Sequence, residues 1–510
     1  MPSPTRPPVF WAGLLSIAGI KLLLHLFVNT IYGFHRDELL YLALGRHPDW
    51  GYWSNPPIIG WLGWLLQQLA EGPLWLVRLL PTLAGCSLVL LAGAMTRELG
   101  GRRFAQALAA LAVAVSPAYL RTSMLFQPVV FDILGWTVLC YLLIRYLNAQ
   151  KRRHLWWFGI VFGLAFLNKY MVVFLLLALL PALLLTPSRK VLLQRNALVA
   201  AALALGVMLP NLLWQYAHHF PVMRHMQELR ANQLVHVEAG SFLTNQLRMT
   251  LTATVVWIPG LWLLWIHRRG KYRLLLYLFV AVILLFLALH GKHYYTLGIY
   301  PVLIAAGGIF WEKALRHALW RSALALAITA LLIPLLPLSV PLYPAPKMAE
   351  YCRWAAGRLG LEGLTRWEDN RQYPLPQDYA DMLGWPELAN AAVVAFRQVP
   401  AGTPVMIYGE NYGQAGAVDH FGHRYGLPPA VSFSDTYRLW LPDEIGARAL
   451  IYINDELGDD VQRLFADIRP VGRVTDPFAR EYGTTVYLCQ HPREDLARFW
   501  RERVKSVRAQ

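Results

Sequence analysis

The chain has 510 residues, of which 56% are hydrophobic and only 15% charged, where soluble globular proteins average about 25% charged. Leu-rich runs recur through the first two thirds, each long enough to cross a hydrocarbon core of about 30 Å. This excludes an ordinary soluble protein, and the formal net charge of +16 is accounted for by basic loops between apolar runs, so no nucleic-acid partner is expected.

The first run, residues 9–31, is too long for a signal-peptide core and lacks a small-x-small cleavage site before its charged exit. It reads as a retained span. The stretch that follows, "GFHRDELLYLALGRHPDWGYWSNPPIIGWL" (33–62), places Arg36, Asp37 and Glu38 at the exit. It then returns to aromatic and apolar residues, which suggests a loop lying on the membrane surface. Further runs at 74–95, 104–120, 127–147, 155–168, 170–186, 197–216, 251–266, 274–290, 296–311 and 321–341 bring the expected total to about eleven spans. The short runs meeting at "FLNKY" are candidates for a broken or tilted pair.

Alternate loops are basic: "TRELGGRR" (96–103), "NAQKRRH" (148–154), "PSRKVLLQR" (187–195), "HRRGKYR" (267–273) and "WEKALRH" (311–317). The positive-inside rule puts these in the cytoplasm with the N-terminus. The first outer loop, 32–73, then faces outward with everything after residue 341. The expected organisation is a transmembrane domain (1–341) and an extracytoplasmic α/β domain (342–510), entered through the proline-rich hinge "PLYPAPK" (341–347). Within that tail, "TPVMIYG" (403–409), "ARALIYIND" (447–455) and "TTVYLC" (484–489) read as buried strands, and 378–399 carries helical spacing. Cys86 and Cys140 sit in apolar runs as packing residues. Cys352 and Cys489 lie in the tail, where a disulfide between them is open if the tail is exported.

Ionisable groups at bilayer depth are costly and call for a role. Asp37 and Glu38 gather at the outer edge of the first span, Asp132 near the outer end of "QPVVFDILGW" (127–136), and Lys169 at the break between two spans. His290, Lys292 and His293 stand beside Tyr294 and Tyr295 in "HGKHYYTLGIYP" (290–301). Each has an ordinary structural reading as an interface marker, a snorkelling lysine or a helix–helix contact. Together they offer carboxylates, suited to a general base or a metal, and cations, suited to a phosphate. Lys21, mid-span, reads as a structural or snorkelling group.

These residues carry a resemblance. "RDELLYLALGRHPDWGYWSNPPIIGWL" resembles the first outer loop of GT-C fold membrane glycosyltransferases, in the bacterial branch similar to protein O-mannosyltransferases and lipid A aminoarabinose transferases. "QPVVFDILGW", "GLAFLNKY" (163–170), "GKHYYTLGIYP" and "GENYGQAGAVDHFGHRYGLPPAVSF" (409–433) look like further motifs of that branch. The resemblance implies a polyprenyl-phosphate-sugar donor, a lipid, glycan or protein acceptor, and single-displacement transfer of a hexose or pentose with inversion at the outer face of the inner membrane. It implies Asp37 as catalytic base, with Glu38 beside it. Lys169, Lys292, His293, Tyr294 and Tyr295 fall at the donor phosphate. Asp132, Pro56, Pro57, Glu410, Tyr412 and Asp419 fall in substrate-binding segments. A divalent metal is an open cofactor. The aminoarabinose transferases place an acid and a lysine just before the double proline. Here Ser54 and Asn55 stand there, a departure that bears on a lipid A substrate and on any metal held by that acid. A transporter or lipid flippase is the alternative reading, but paired repeats and midplane polar groups are its expected signs, and the polar groups here cluster at one edge.

Overall fold

A computed structural model describes residues 7–70, 72–232, 234–266 and 270–509. His267, Arg268 and Arg269 of the fourth basic loop lie outside the described residues. The helices run α1 (Trp11–Val28), α2 (Arg36–Arg46), α3 (Ile58–Ala70), α4 (Leu74–Glu98), α5 (Arg103–Ala114), α6 (Pro117–Thr122), α7 (Pro128–Ala149), α8 (Arg152–Asn168) and α9 (Val172–Leu184). They continue as α10 (Arg195–Ala217), α11 (Pro221–Asn232), α12 (Ala239–Met249), α13 (Leu251–Ile266), α14 (Arg273–Ala288), α15 (Tyr300–Ala314), α16 (Ala318–Leu332) and α17 (Leu336–Ser339). The C-terminal part adds α18 (Ala345–Leu359), α19 (Gln377–Ala380), α20 (Trp385–Arg397), α21 (Tyr412–Ala417), α22 (Asp459–Leu464) and α23 (Leu496–Ala509).

The chain forms two compact units. One is helical, from residues 1–29, 55–58 and 75–340; the other is α/β, from 30–54, 59–74 and 341–510. Every predicted span contains helix. By length and composition, six of the described helices can cross a membrane, or up to eight if each of two bent pairs is one span. One bent pair joins α9 to the 3₁₀ segment Pro187–Leu193 at 119°; the other joins α12 to α13 at 101°. Packing in the helical unit uses small residues. A Cβ on Gly260 of α13 would strike the Leu303 carbonyl oxygen of α15, so the two backbones approach as closely as they do only because Gly260 and Gly307 lack side chains. Lys21 is structural: its ammonium donates to the Tyr119 carbonyl at 3.0 Å.

The α/β unit is built on a five-stranded sheet of β1 (Val405–Gly409), β2 (Ala430–Val431), β3 (Ala449–Asn454), β4 (Phe465–Arg473) and β5 (Thr485–Pro492), in the order β2-β1-β3-β5-β4. β1 runs parallel to β2 and β3, and β5 runs antiparallel to β3 and β4. The three predicted strands are β1, β3 and β5. The predicted helix at 378–399 is two helices: α19 ends at Ala380, and α20 starts after Gly384, which is left-handed (φ +83°). Cys352 and Cys489 are buried, and no disulfide joins them.

Residues 30–54 pack with this unit, which changes the meaning of their apolar content. Leu39 to Gly45 of α2 are buried, because α2 is a core helix of the α/β unit and not a surface-lying one. The aromatic residues after it are also used internally. Trp53 lies under the Arg438 guanidinium (4.9 Å to the ring centroid), and Trp61 donates to the Asp49 carbonyl at 2.9 Å. Ser54 donates to Asp435 Oδ1 at 2.9 Å.

His420 joins the same core, edge-on to Phe34 with ring centroids 4.5 Å apart. Burial, then the charges of Arg46 and Arg424, push its imidazole down to about 4. An unfolded chain protonates histidine near 6.5, so between these values the folded state binds fewer protons. Stability is therefore expected to fall as pH drops from about 6.5 to about 4. His420→Phe should flatten that part of the slope in thermal unfolding of the solubilised protein.

Candidate functional site

The α/β unit presents Asp37 through local structure on both sides. Asp37 lies in the first turn of α2, where exposed amide groups favour negative charge. Its own amide donates to His35 Nδ1 at 3.1 Å, while Glu38 Oε2 accepts the His35 amide at 2.8 Å. Glu38 is 0% exposed. The acid pair is thus divided in role: Glu38 closes the cap of α2 and is not available to a substrate, and Asp37 keeps 27% of its side chain exposed. The start of α2 is held by a hydrogen bond from the Arg36 amide to the Asp381 carbonyl (3.0 Å).

The second half of this arrangement comes from the loop after β1. Asn411 Oδ1 accepts from the amides of Gly413 (2.9 Å) and Gln414 (3.1 Å), which turns the chain into α21. Gln414 accepts the Glu410 amide at 2.8 Å. The Gln414 and Asn411 side-chain amides donate to the two carboxylate oxygens of Glu481, at 2.7 and 3.1 Å. α21 then lies directly on α2. A Cβ on Gly416 would come within 3.1 Å of Leu39 Cβ, and one on Gly413 within 2.8 Å of the Trp385 ring.

That close approach delivers Tyr412, whose hydroxyl donates to Asp37 Oδ1 at 2.8 Å. The Arg36 guanidinium sits over the Tyr412 ring at 4.7 Å and 4.0 Å from Asp37 Oδ1. Burial and the neighbouring Asp37 carboxylate push the Tyr412 phenol well above its usual value, so it stays a donor. Of the other two tail residues, Glu410 is exposed and accepts a hydrogen bond from the Tyr408 hydroxyl. Asp419 is consumed structurally, accepting from the Ala430 amide (2.8 Å) and the Tyr437 hydroxyl (2.7 Å), which ties down β2.

The helical unit gathers the cations. Lys169 is extended (φ −157°, ψ 131°) and breaks α8 from α9, with Asn168 tied to the Pro128 carbonyl at 3.0 Å. Its ammonium lies 5.9 and 5.6 Å from the ring centroids of Tyr294 and Tyr295, and its charge acts on the carboxylate of Asp132. Asp132 is buried, with Oδ1 lacking a hydrogen-bond partner among the described residues. Lys292 caps the 3₁₀ turn His293–Ile299, which carries both tyrosines. Gln246 secures that turn: it accepts from Thr296 (2.7 Å) and Tyr300 (2.8 Å) and donates to the His293 carbonyl (3.4 Å). Pro56 and Pro57 are buried. Sequence reasoning passed over Arg78 of α4, which is 0% exposed and donates to the Asn29 carbonyl. The signal was there: an arginine one turn into an apolar span.

No group of three or more His, Cys, Asp or Glu among the described residues could hold a metal. Asp37 has a guanidinium and a phenol as neighbours, and Glu38 is committed to the helix cap, so a divalent cation does not fit this carboxylate.

Residues 54–214 match the profile of the dolichyl-phosphate-mannose-protein mannosyltransferases. The chain is 27% identical over 346 residues to the lipid A galacturonosyltransferase RgtD of Rhizobium johnstonii, an alignment covering 64% of this chain and 70% of that protein. ArnT from Cupriavidus metallidurans, crystallised with undecaprenyl phosphate, has a TM-score of 0.61 at 13% identity, covering 93% of this chain and 97% of that one. The mycobacterial arabinofuranosyltransferase AftD gives a TM-score of 0.51 at 13% identity over 97% of this chain and 42% of its own. The chain therefore shares the fold of ArnT, and its sequence is similar to membrane glycosyltransferases over residues 54–214 and over the 346 residues aligned with RgtD.

Proposed function

We propose that the protein transfers a sugar, hexose or pentose, from a polyprenyl-phosphate donor to a cell-envelope acceptor at the outer face of the inner membrane, with inversion. The N-terminus is then cytoplasmic and the α/β unit extracytoplasmic. A lipid or glycolipid acceptor is favoured over a protein, because the sequence relative at 27% identity acts on lipid A.

The observation that carries this reading is the state of Asp37. One oxygen is held by Tyr412, yet the side chain remains partly open to solvent. That combination suits a general base, which needs fixed orientation and access to an incoming hydroxyl. As the acceptor oxygen attacks the anomeric carbon, its proton passes to Asp37 and the bond to the polyprenyl phosphate oxygen breaks. The departing phosphate is a stable anion and needs cations, not an acid. Lys169 and Lys292 supply them, with Tyr294 and Tyr295 fixing the Lys169 ammonium. Asp132 beside Lys169 orients that ammonium or holds a sugar hydroxyl. Pro56 and Pro57 shape the substrate segment, and His293 serves the turn through its carbonyl. An apolar cleft of about 440 Å³ between α9 and α14, lined by Leu177, Pro181, Tyr277 and Leu284, suits a polyprenyl chain. Lys169 shortly precedes α9, and Lys292 shortly follows α14.

Asp37→Asn is expected to cut transfer by about 10²–10⁴ while the purified protein keeps its elution profile and thermal midpoint. Undiminished transfer would remove Asp37 from the role of base. Tyr412→Phe removes a hydrogen bond to a charged group. It is expected to lower kcat by roughly ten- to a hundredfold with little change in donor KM. Lys169→Ala is expected to raise donor KM on the order of tenfold and to leave acceptor preference unchanged; the opposite pattern would dissociate Lys169 from the phosphate. Mass spectrometry of envelope lipids, glycans and proteins with the chain present and absent identifies the sugar and the acceptor together.

A further inference from the structure

The helical unit contains a second cavity, lined by polar groups, that the transfer reading does not use. It has a volume of about 790 Å³ and lies between the starts of α5 and α16 and the end of α15. Along α15, Lys313 stands about 20 Å from Tyr300 and the turn that carries Tyr294 and Tyr295. The cavity is therefore at the opposite end of α15 from the Lys169 cluster.

Its lining is strongly unbalanced in charge. Arg102, Arg103, Lys313 and Arg321 face it, with Glu312 the one carboxylate among the lining residues, a formal surplus of +3. Glu312 is already engaged, accepting the amides of Arg102 (2.9 Å) and Ala105 (3.2 Å) at the start of α5. Arg321 is fixed as a wall. It donates to the carbonyls of Leu315 (2.9 Å) and Glu312 (3.1 Å), and its guanidinium lies over Phe104. The side chains of Arg102 and Lys313 are exposed, with no hydrogen-bond partner among the described residues. The cavity thus combines two arginines lying over aromatic rings, Arg103 over Phe10 and Arg321 over Phe104, with two cations whose donors remain for a ligand.

The ligand chemistry follows from the surroundings. Arginine and lysine together suit phosphate oxygens. The cavity's other walls include Phe104, Ile309 and Pro8, and Leu319 and Trp320 at the start of α16 are exposed. Exposed Leu and Trp beside a cationic pocket at a helix end is the arrangement of a bilayer interface. We infer that this cavity binds the phosphate headgroup of an anionic glycerophospholipid, at the membrane face opposite the transfer site. The site is independent of the transfer chemistry and holds the ends of α5, α15 and α16 to the bilayer surface.

The test uses the full chain, purified and stripped of lipid in detergent, titrated with diphosphatidylglycerol, with phosphatidylcholine and with inorganic phosphate. Bound lipid is read by native mass spectrometry. Diphosphatidylglycerol should bind at least tenfold more tightly than phosphatidylcholine, and Arg102→Gln/Lys313→Gln should lose on the order of tenfold of that affinity. Arg189→Gln/Lys190→Gln removes two exposed cations from another basic loop and should leave binding unchanged. Should the double variant not survive extraction, the single variants Arg102→Gln and Lys313→Gln should each show a smaller loss. Equal loss in both pairs means diffuse attraction and overturns the site. Full displacement by millimolar phosphate marks a free-anion pocket and overturns the lipid assignment, as does unchanged binding in the variants.

Discussion

The hydrogen bond from Tyr412 to Asp37 is the contact around which the α/β unit is organised. A carboxylate in the first turn of a helix is favourably placed, but it needs a defined orientation to act on one hydroxyl. Tyr412 supplies that orientation from 375 residues away in the chain. The loop carrying it is fixed by Asn411 and Gln414, both bonded to Glu481. Two glycines of α21 remove the side chains that would hold it away from α2. Each of these features is a local packing or capping solution. Their joint product is a carboxylate with one oxygen held by Tyr412, on a side chain that stays 27% exposed.

In the proposed transfer the helical unit solves a different problem. A phosphate departing into an apolar setting needs positive charge, and positive charge at bilayer depth is expensive. Lys169 sits where the helix is interrupted, at an extended residue between two short helices, with two tyrosine faces and a buried carboxylate sharing its field. The tyrosines in turn sit on a 3₁₀ turn that Gln246 satisfies from three sides. An uncharged side chain deep in the sequence thereby supports a charged one elsewhere.

Much of this was legible in the residues, and the misses have physical causes. The helices and the strands β1, β3 and β5 announce themselves because they read as apolar runs, β3 being buried on both faces. β4 does not: "FADIRPVGR" is an exposed edge strand with a bulge between Pro470 and Gly472, so neither alternation nor apolar content marks it. The cation–tyrosine pairing was foreseeable from "FLNKY" and "GKHYY" as two polar edges. The division between Asp37 and Glu38 was not, since adjacent acids look equivalent until one is seen to cap its own helix. The apolar content of 38–65 suggests a membrane-lying loop. Apolarity states only that a surface is covered; over 38–45 the cover is protein, while Trp50, Trp64 and Leu65 stay exposed. Asp419 shows the same limit, as Tyr437, which donates to it, comes from outside the 409–433 motif.

The α/β unit is discontinuous: residues 30–54 and 59–74 join 341–510, with the helical unit inserted between them. During synthesis, α2 must therefore wait, with its apolar faces unpaired, until the sheet has been made. The α/β portion is not a detachable module. A chimaera that exchanges the C-terminal domain between related enzymes must exchange the segment from Thr30 to Ser54 with it, or the new Tyr412 will meet an Asp37 it was never shaped to hold.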